Sequence, residues 1–208
     1  MPTRRSFLAA LIGAVVLQAV PAGPGFAQST GAVNEPIRAL NTALLATMKS
    51  GRAVPFTQRF DALAPVVDRA FDLDAILRGA VGARWQELPR ADQDALRAEF
   101  RRFTIASWVA NFTSFEGQTL TIAPSPRDVG NGTVVVDTKL ASPGGDAVEL
   151  GYVMRDTGAG WRAVDILAEG SISRVAVLRS DFRQALSSGG ATALLGRLRE
   201  KTAALGKT

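Results

Sequence analysis

The sequence contains no histidine and no cysteine. Without imidazole or thiol groups the chain cannot form a Ser-His-Asp triad or a Cys-His pair, and it lacks the side chains that ordinary zinc sites use. Disulfides are also excluded, so the domain must be held together by packing alone. A Ser-Lys pair of the S-x-x-K type is absent, because no lysine follows a serine by three residues. We therefore predict no cofactor, no metal site and no catalytic residue.

A strong excess of one charge is also missing. The formal net charge is +5 over 208 residues. The basic residues do not form blocks that alternate with aromatic side chains, as a nucleic-acid groove requires. We expect no nucleic-acid partner, whereas transient contact with an anionic membrane surface is compatible with this mild charge.

Only one long apolar run is present, and it lies at the N-terminus. Residues 7–20 follow Arg4 and Arg5. This run is shorter than the roughly 20 residues that cross a bilayer as a helix. Pro and Gly follow it, and Gly25-Phe26-Ala27 has the small-residue spacing that a signal peptidase reads. We interpret residues 1–27 as a cleavable export signal, which leaves residues 28–208 as one soluble domain.

The two arginines also suggest the export route. Residues 3–8 read "TRRSFL" and resemble the twin-arginine signal, whose receptor recognises the address and does not anchor the chain. An ordinary secretory signal with two positive charges is the alternative. Either route places the mature protein outside the cytoplasm.

The periodicity of the apolar residues divides the domain into three parts. Residues 28–117 have the helical period of 3.6, residues 118–169 have the strand period of 2, and residues 170–208 return to helix. Gly/Pro/Asp-rich turns separate four strands, so the sheet is predicted to be an antiparallel meander. The predicted fold class is α+β, with helices covering one face of a curved four-stranded sheet.

Several details of the helices can be predicted. Pro65 should divide its segment into two short helices that meet at Ala64. Asp72 is a plausible N-cap for the next helix. The longest helix should cover residues 91–115, and the C-terminal helix should break at Gly189 and Gly190.

The long helix indicates a hydrophobic site. Its second half is apolar over most of its circumference, so it must be covered on more than one side. Facing the apolar side of the sheet, it could line a cavity or be ordinary core. Asp165 lies in the last strand, where alternation places it on the same side as Trp161, Ala163 and Leu167. It is expected to be a buried structural acid that a nearby backbone N–H or an arginine satisfies, with Arg179 as the first partner to test.

Three stretches carry a resemblance to a known family. They are "FDALAPVVDRAFDLDAILRGAVGARWQELPRADQDALRAEFRRF", "GWRAVDILAEGSIS" and "RSDFRQAL". The first has the order F-x-x-L-x-P-x-V, and it contains Gly82-x-x-Trp85. Together they resemble the periplasmic lipid carriers known as toluene-tolerance or MlaC-like proteins. The stretch "SISRVAVLRSDFR" is most similar to the hopanoid-associated HpnM branch.

The resemblance implies a fold, a function and a compartment. It implies a cone similar to nuclear-transport-factor-two-like folds with extra helices, whose cavity takes lipid tails. It implies a periplasmic shuttle that carries a hopanoid or phospholipid between inner- and outer-membrane complexes, and we expect this shuttle to be a monomer. The residues that we predict to contact the lipid are Phe103, Trp108, Phe112, Val136, Leu150, Tyr152 and Ile166.

Two other functions are considered beside lipid carriage. One is a carboxylate-dependent hydrolase or isomerase in the same kind of cone, with Asp165 as acid or base. The other is a scaffold that docks with a membrane complex and binds no lipid. Fold analogy does not separate them, because such cones host both enzymes and binding proteins.

Overall fold

The computed structural model describes residues 25–207. The first 24 residues of the predicted export signal lie outside this range, and the predicted cut after Ala27 falls in the first turn of a helix that begins at Gly25. Over the described range, no helix combines the length and the apolar character needed to cross a membrane.

Residues 25–207 form five α-helices and one antiparallel sheet, which confirms the α+β class. The helices are α1 (Gly25–Ser50), α2 (Phe56–Ala70), α3 (Leu73–Val81), α4 (Arg90–Asn111) and α5 (Arg174–Leu205). Two short 3₁₀ helices, Gly51–Ala53 and Gly82–Glu87, connect them. The strands are β1 (Thr119–Ile122), β2 (Arg127–Gly130), β3 (Thr133–Ala141), β4 (Val148–Asp156), β5 (Trp161–Ala168) and β6 (Ile172–Ser173).

The sheet has six strands where four were predicted. Its order is β1-β3-β4-β5-β6, and β2 pairs with β3. The predicted strands are β1, β3, β4 and β5. The two additional strands carry little periodic signal, because all four residues of β2 are exposed and β6 has only two residues.

One face of the sheet packs on the helices. Val136 lies opposite Tyr152, and Val134 lies opposite Met154, in the β3–β4 register. These side chains meet the apolar faces of the helices in a single core. The apolar face of α1 is buried within it, and comprises Val33, Ile37, Leu40, Leu44 and Met48.

A bulge in β5 changes which side chains share a face. Val153 pairs with Asp165, but the next residue, Met154, pairs with Ala163, so Val164 is an extra residue. Ile166 therefore lies opposite Tyr152, on the helix-facing side of the sheet. A regular strand would have placed Asp165 on the same side as Ala163, as the sequence suggested, and the bulge makes that expectation wrong.

Pro65 does not divide its helix. It lies inside the continuous α2, and its side chain is exposed. Leu63, Ala64 and Val67 are buried on the opposite side. Pro65 has no N–H, so the helix loses one backbone hydrogen bond there. Burial of the apolar residues that precede and follow the proline outweighs this loss. The predicted break in α5 is confirmed, since Gly189 and Gly190 have non-helical backbone angles there.

Candidate functional site

An apolar cavity of about 430 Å³ lies between the sheet and the helices. Its walls come from α3, the C-terminal half of α4, the N-terminal turns of α5, and β3 to β6. A volume in this range is typical of sites that enclose a small molecule. The apolar side chains that line it are Phe71, Leu73, Ile76, Phe100, Phe103, Trp108, Phe112, Leu140, Val148, Leu150, Ile166, Ala168, Ile172, Val175, Val177 and Leu178.

A row of aromatic rings forms one wall. The ring of Trp108 lies 5.7 Å from that of Phe71 and 5.6 Å from that of Phe112. Phe71 is held at the end of α2, where the backbone N–H of the next residue, Asp72, donates to the carbonyl of Ala163. The row is therefore attached to both the sheet and the helices.

Polar side chains along α4 interrupt the apolar lining. Thr104, Ser107 and Asn111 are spaced at three and four residues, so they form a strip on one helix face. The Ser107 hydroxyl donates a hydrogen bond to the carbonyl of Phe103, so its donor is already paired within the helix. A ligand with apolar tails and one polar group would find both kinds of contact on this wall.

The cavity opens to the surface near the start of α5. Val148, Ile172 and Val177 line it and are 49%, 49% and 39% exposed. Large apolar side chains that are both exposed and part of a cavity wall mark the opening. Arg174 stands between Ile172 and Val177 in the chain and is the cationic residue of the lining.

Asp165 borders the cavity, but its carboxylate is engaged in holding α5. It accepts hydrogen bonds from the backbone N–H groups of Ile166 and Val175 and from the hydroxyl of Ser173. The Ser173 hydroxyl in turn accepts from the N–H of Ala176, so the two side chains cap the helix together.

The expected pairing of Asp165 with Arg179 is wrong. The Arg179 guanidinium donates two hydrogen bonds, of 2.9 and 2.8 Å, to the carbonyl of Gly79 in the last turn of α3. This contact satisfies one of the carbonyl groups that a helix end leaves without a partner. It also joins α3 to α5, which approach closely where Val175 packs beside Gly79.

Five of the seven predicted contact residues line the cavity: Phe103, Trp108, Phe112, Leu150 and Ile166. Their contact with a ligand stays a prediction. Val136 and Tyr152 do not line the cavity, because they lie one layer deeper in the closed core, each 1% exposed. The Tyr152 ring packs 6.1 Å from that of Phe71, which separates it from the cavity.

Tyr152 is unusual in its electrostatics. Burial raises the pKa of its hydroxyl well above the ordinary value, and a hydrogen bond with Thr138 lowers it in part. A neutral, fully enclosed phenol of this kind supports the sheet under the aromatic wall, and offers no acid or base at neutral pH.

The sequence interpretation missed the contribution of α5 and the polar strip of α4. Val175, Val177 and Leu178 lie where the chain returns from the sheet, and no periodic signal places that turn over the cavity. The strip of Thr104, Ser107 and Asn111 could have been found, because its spacing of three and four residues falls within a largely apolar helix.

Two comparisons with known proteins found matches, one to a protein family and one to a solved structure. The family model described as MlaC protein matches residues 38–200. A phospholipid-binding protein from Ralstonia solanacearum, solved in complex with a phospholipid, has a similar fold, with a TM-score of 0.71 and 21% sequence identity. The match covers 83% of this chain and 98% of that one. A comparison with curated protein sequences finds no match.

Proposed function

Because the chain belongs to the MlaC family, we propose that it is a lipid carrier that encloses the apolar tails of one amphiphile between its sheet and its helices. The observation that carries this proposal is the cavity, whose lining is apolar except for a few polar side chains. Phe103, Trp108 and Phe112 from α4 and Leu150 and Ile166 from the sheet are the proposed tail contacts.

The energetics of lipid transfer support this function. Each CH₂ group moved out of water contributes roughly 0.8 kcal/mol. An acyl chain therefore crosses an aqueous compartment poorly unless a protein encloses it. Enclosure of a lipid tail requires a cavity of suitable shape that excludes water, and it requires no nucleophile. A chain without histidine or cysteine can therefore perform it.

A phospholipid is the first candidate cargo. The similar structure from Ralstonia solanacearum was solved with a phospholipid bound. The polar strip of Thr104, Ser107 and Asn111 and the exposed Arg174 near the opening would suit a polar or anionic head group. A hopanoid is the second candidate, since the start of α5 resembles the HpnM branch.

We infer that the carrier works in the periplasm as a monomer. The predicted export signal at residues 1–27 supports this location. In this role residues 28–208 form a single domain, similar to a nuclear-transport-factor-two-like cone, that moves lipid between inner- and outer-membrane complexes. No covalent step is proposed, because the carboxylate nearest the cavity, Asp165, already serves as a helix cap.

Lipid analysis of the purified protein tests the proposal. Native mass spectrometry should show a complex with one amphiphile, and solvent extraction followed by mass analysis should identify it as phospholipid or hopanoid. The protein should be purified both from its exported location and after refolding from denaturant, which removes lipid acquired in the cell. Protein from the exported location that carries no amphiphile would support the scaffold interpretation.

Thermal unfolding supplies a second, independent test. A ligand that binds only the folded state stabilises it by about 2.7 kcal/mol at a free concentration of 100 times Kd. Delipidated protein should therefore melt at a lower temperature and recover stability when phospholipid is added. An unchanged melting temperature at saturating lipid would contradict tail enclosure in the cavity.

A further inference from the structure

A second groove, of about 400 Å³, lies between α1 and β1. Its α1 wall consists of Asn34, Arg38, Asn41, Thr42 and Leu45, and its other wall of Leu120, Ile122, Ala123 and Pro124. None of these residues lines the apolar cavity. The groove is therefore separate from the apolar cavity.

Two asparagines in this groove have unmet hydrogen-bonding capacity. Asn34 and Asn41 are 6% and 5% exposed, and they lie two turns apart on the same face of α1. The Oδ1 of Asn34 and both polar atoms of the Asn41 carboxamide have no partner within the described part of the protein. Leaving such groups unpaired costs about 1–3 kcal/mol each, so buried carboxamides are usually paired.

The rest of the groove limits the chemistry of its ligand. Arg38 forms an exposed ion pair with Glu35, with an Nη1–Oε2 distance of 2.9 Å, so a negative charge lies beside the positive one. The Thr42 hydroxyl donates to the Arg38 carbonyl within the helix. A neutral ligand that offers both donors and acceptors matches two carboxamides, and the peptide group is such a ligand.

The neighbouring strand offers the complementary feature. β1 pairs with β3 along one side and is the first strand in the sheet order, so among the described strands its other side is a sheet edge. Leu120 and Ile122 are half-buried on the α1 side, whereas Thr119 and Thr121 are exposed. An edge with unpaired backbone groups can accept another strand.

A third groove borders the same edge from the opposite face. It has a volume of about 580 Å³, and Thr121, Arg127 and Lys139 are among its lining residues. Side chains of an extended peptide alternate between the two faces of a sheet. A strand added beside β1 would therefore direct its side chains alternately toward this groove and toward the groove under α1.

We propose that the edge of β1 binds an extended peptide segment of a partner protein by strand addition, with the carboxamides of Asn34 and Asn41 completing the hydrogen bonds of that segment. Backbone pairing supplies affinity in this mode of recognition, and the pockets on alternate faces supply specificity. Leu45, Leu120 and Ile122 form the apolar part of the α1 groove, which suits an aliphatic side chain of the peptide.

The test uses random linear peptides displayed on phage as the probe and the complete mature protein as the bait. Selected peptides are synthesised and their Kd values are measured. Amide hydrogen exchange then locates each peptide on the protein. We expect the bound peptide to slow exchange of the β1 amides, and Asn41→Leu or Asn34→Leu to weaken binding roughly tenfold or more.

The variants separate binding from folding. Replacing an unpartnered buried carboxamide with leucine is close to neutral or stabilising, so Asn41→Leu should fold and melt at least as high as the parent protein. Thr47→Val is the matched control, because Thr47 is similarly buried on α1 but outside the groove, and its hydroxyl donates to the Ala43 carbonyl. This control should leave peptide binding unchanged.

Three results would overturn the proposal. One is a peptide selection that yields no sequence protecting β1. Another is undiminished binding by both asparagine variants, which would mean that the carboxamides are only hydrated. The third is protection of the β1 amides by self-association at high protein concentration in the absence of peptide, which would assign the edge to a second copy of the chain.

Discussion

The hydroxyl of Ser173 donates to the carboxylate of Asp165 and accepts from the backbone N–H of Ala176. The carboxylate also accepts from the N–H of Val175. Two side chains thus satisfy two of the N–H groups that the start of α5 would otherwise leave unpaired. The cap holds the first turns of α5 against β5, where they complete the cavity wall.

Removing this cap should destabilise the fold, and no catalytic activity should be lost with it, because Asp165 is a structural residue. We expect Asp165→Ala to lower the free energy of unfolding by about 1–3 kcal/mol, because it leaves backbone N–H groups unsatisfied. Ser173→Ala should cost about 0.5–2 kcal/mol, as for other N-caps. Urea unfolding of each variant measures these values. A stable Asp165→Asn protein that had lost a measurable turnover would revive the enzyme alternative.

A double-mutant cycle distinguishes the observed partner of Asp165 from the one expected from the sequence. Asp165 and Ser173 are joined by one hydrogen bond, so the effects of their substitutions should be coupled by about 0.5–3 kcal/mol. Asp165 and Arg179 share none, because Arg179 bonds to Gly79, and this pair should show a smaller coupling. A larger coupling for Arg179 would contradict the described cap.

Filling the cavity should block lipid uptake. Ser107 lies on the cavity wall and is only half-buried, so Ser107→Trp places an indole into the open volume. We expect several-fold less co-purified lipid by native mass spectrometry and an unchanged circular dichroism spectrum. Ser107→Ala is the control, since it removes the hydroxyl without adding bulk. Full lipid occupancy in the tryptophan variant would place the ligand elsewhere.

The chain has a single tyrosine, so its ionisation can be followed by absorbance. Burial raises the pKa of Tyr152 in the folded protein above the value of about 10 that an unfolded chain shows. Stability should be fully present below about pH 10 and fall as the pH rises above it, because only the unfolded state then releases the proton. Tyrosinate absorbance should therefore appear at a higher pH in native protein than in denatured protein.

The Tyr152→Phe variant is the reference for this titration. It should show no tyrosinate signal, and its stability should fall less steeply above about pH 10. A native protein whose tyrosine titrates like that of the denatured chain would contradict the enclosed position of Tyr152.

Export by the twin-arginine route remains a prediction. Replacing Arg4 and Arg5 with lysine keeps the charge of the signal but changes the pair that the receptor reads. We expect the double variant to accumulate uncleaved in the cytoplasm, as measured by fractionation and mass of the N-terminus. Normal export of this variant would assign the signal to the general secretory route.

Much of the fold followed from apolar periodicity. Strict alternation predicts Val134, Val136 and Leu140 on one face of the sheet, and the register pairs them with Met154, Tyr152 and Val148 as that pattern requires. The cap of α3 was also predictable, since the Asp72 carboxylate accepts from the N–H of Ala75 at 2.9 Å. Both features depend on contacts close in sequence or on strict alternation.

Features that depend on packing depth could not be predicted in the same way. Alternation assigns Val136 and Tyr152 to the helix-facing side of the sheet, but it does not say whether a helix covers them or a cavity does. The bulge in β5 has no signature in the residue types around Val164, and it decides the position of Ile166. The long helix was predicted four residues beyond its end at Asn111, because Phe112 and Phe115 continue the apolar pattern after the backbone leaves the helix.

The two hydrogen bonds from Arg179 to the Gly79 carbonyl have a consequence for the proposed transport. Together with the cap at Asp165, they attach the start of α5 to α3 and to the sheet by bonds internal to the protein, so this part of the cavity wall is held without any contact to a ligand, and we expect its shape to be the same before loading and after release. A lipid-binding protein with a single conformation has a single affinity for its lipid, whichever membrane it contacts. Net flux through such a carrier must then follow the difference in lipid chemical potential between donor and acceptor, and any directionality must be imposed by the complexes at the two ends.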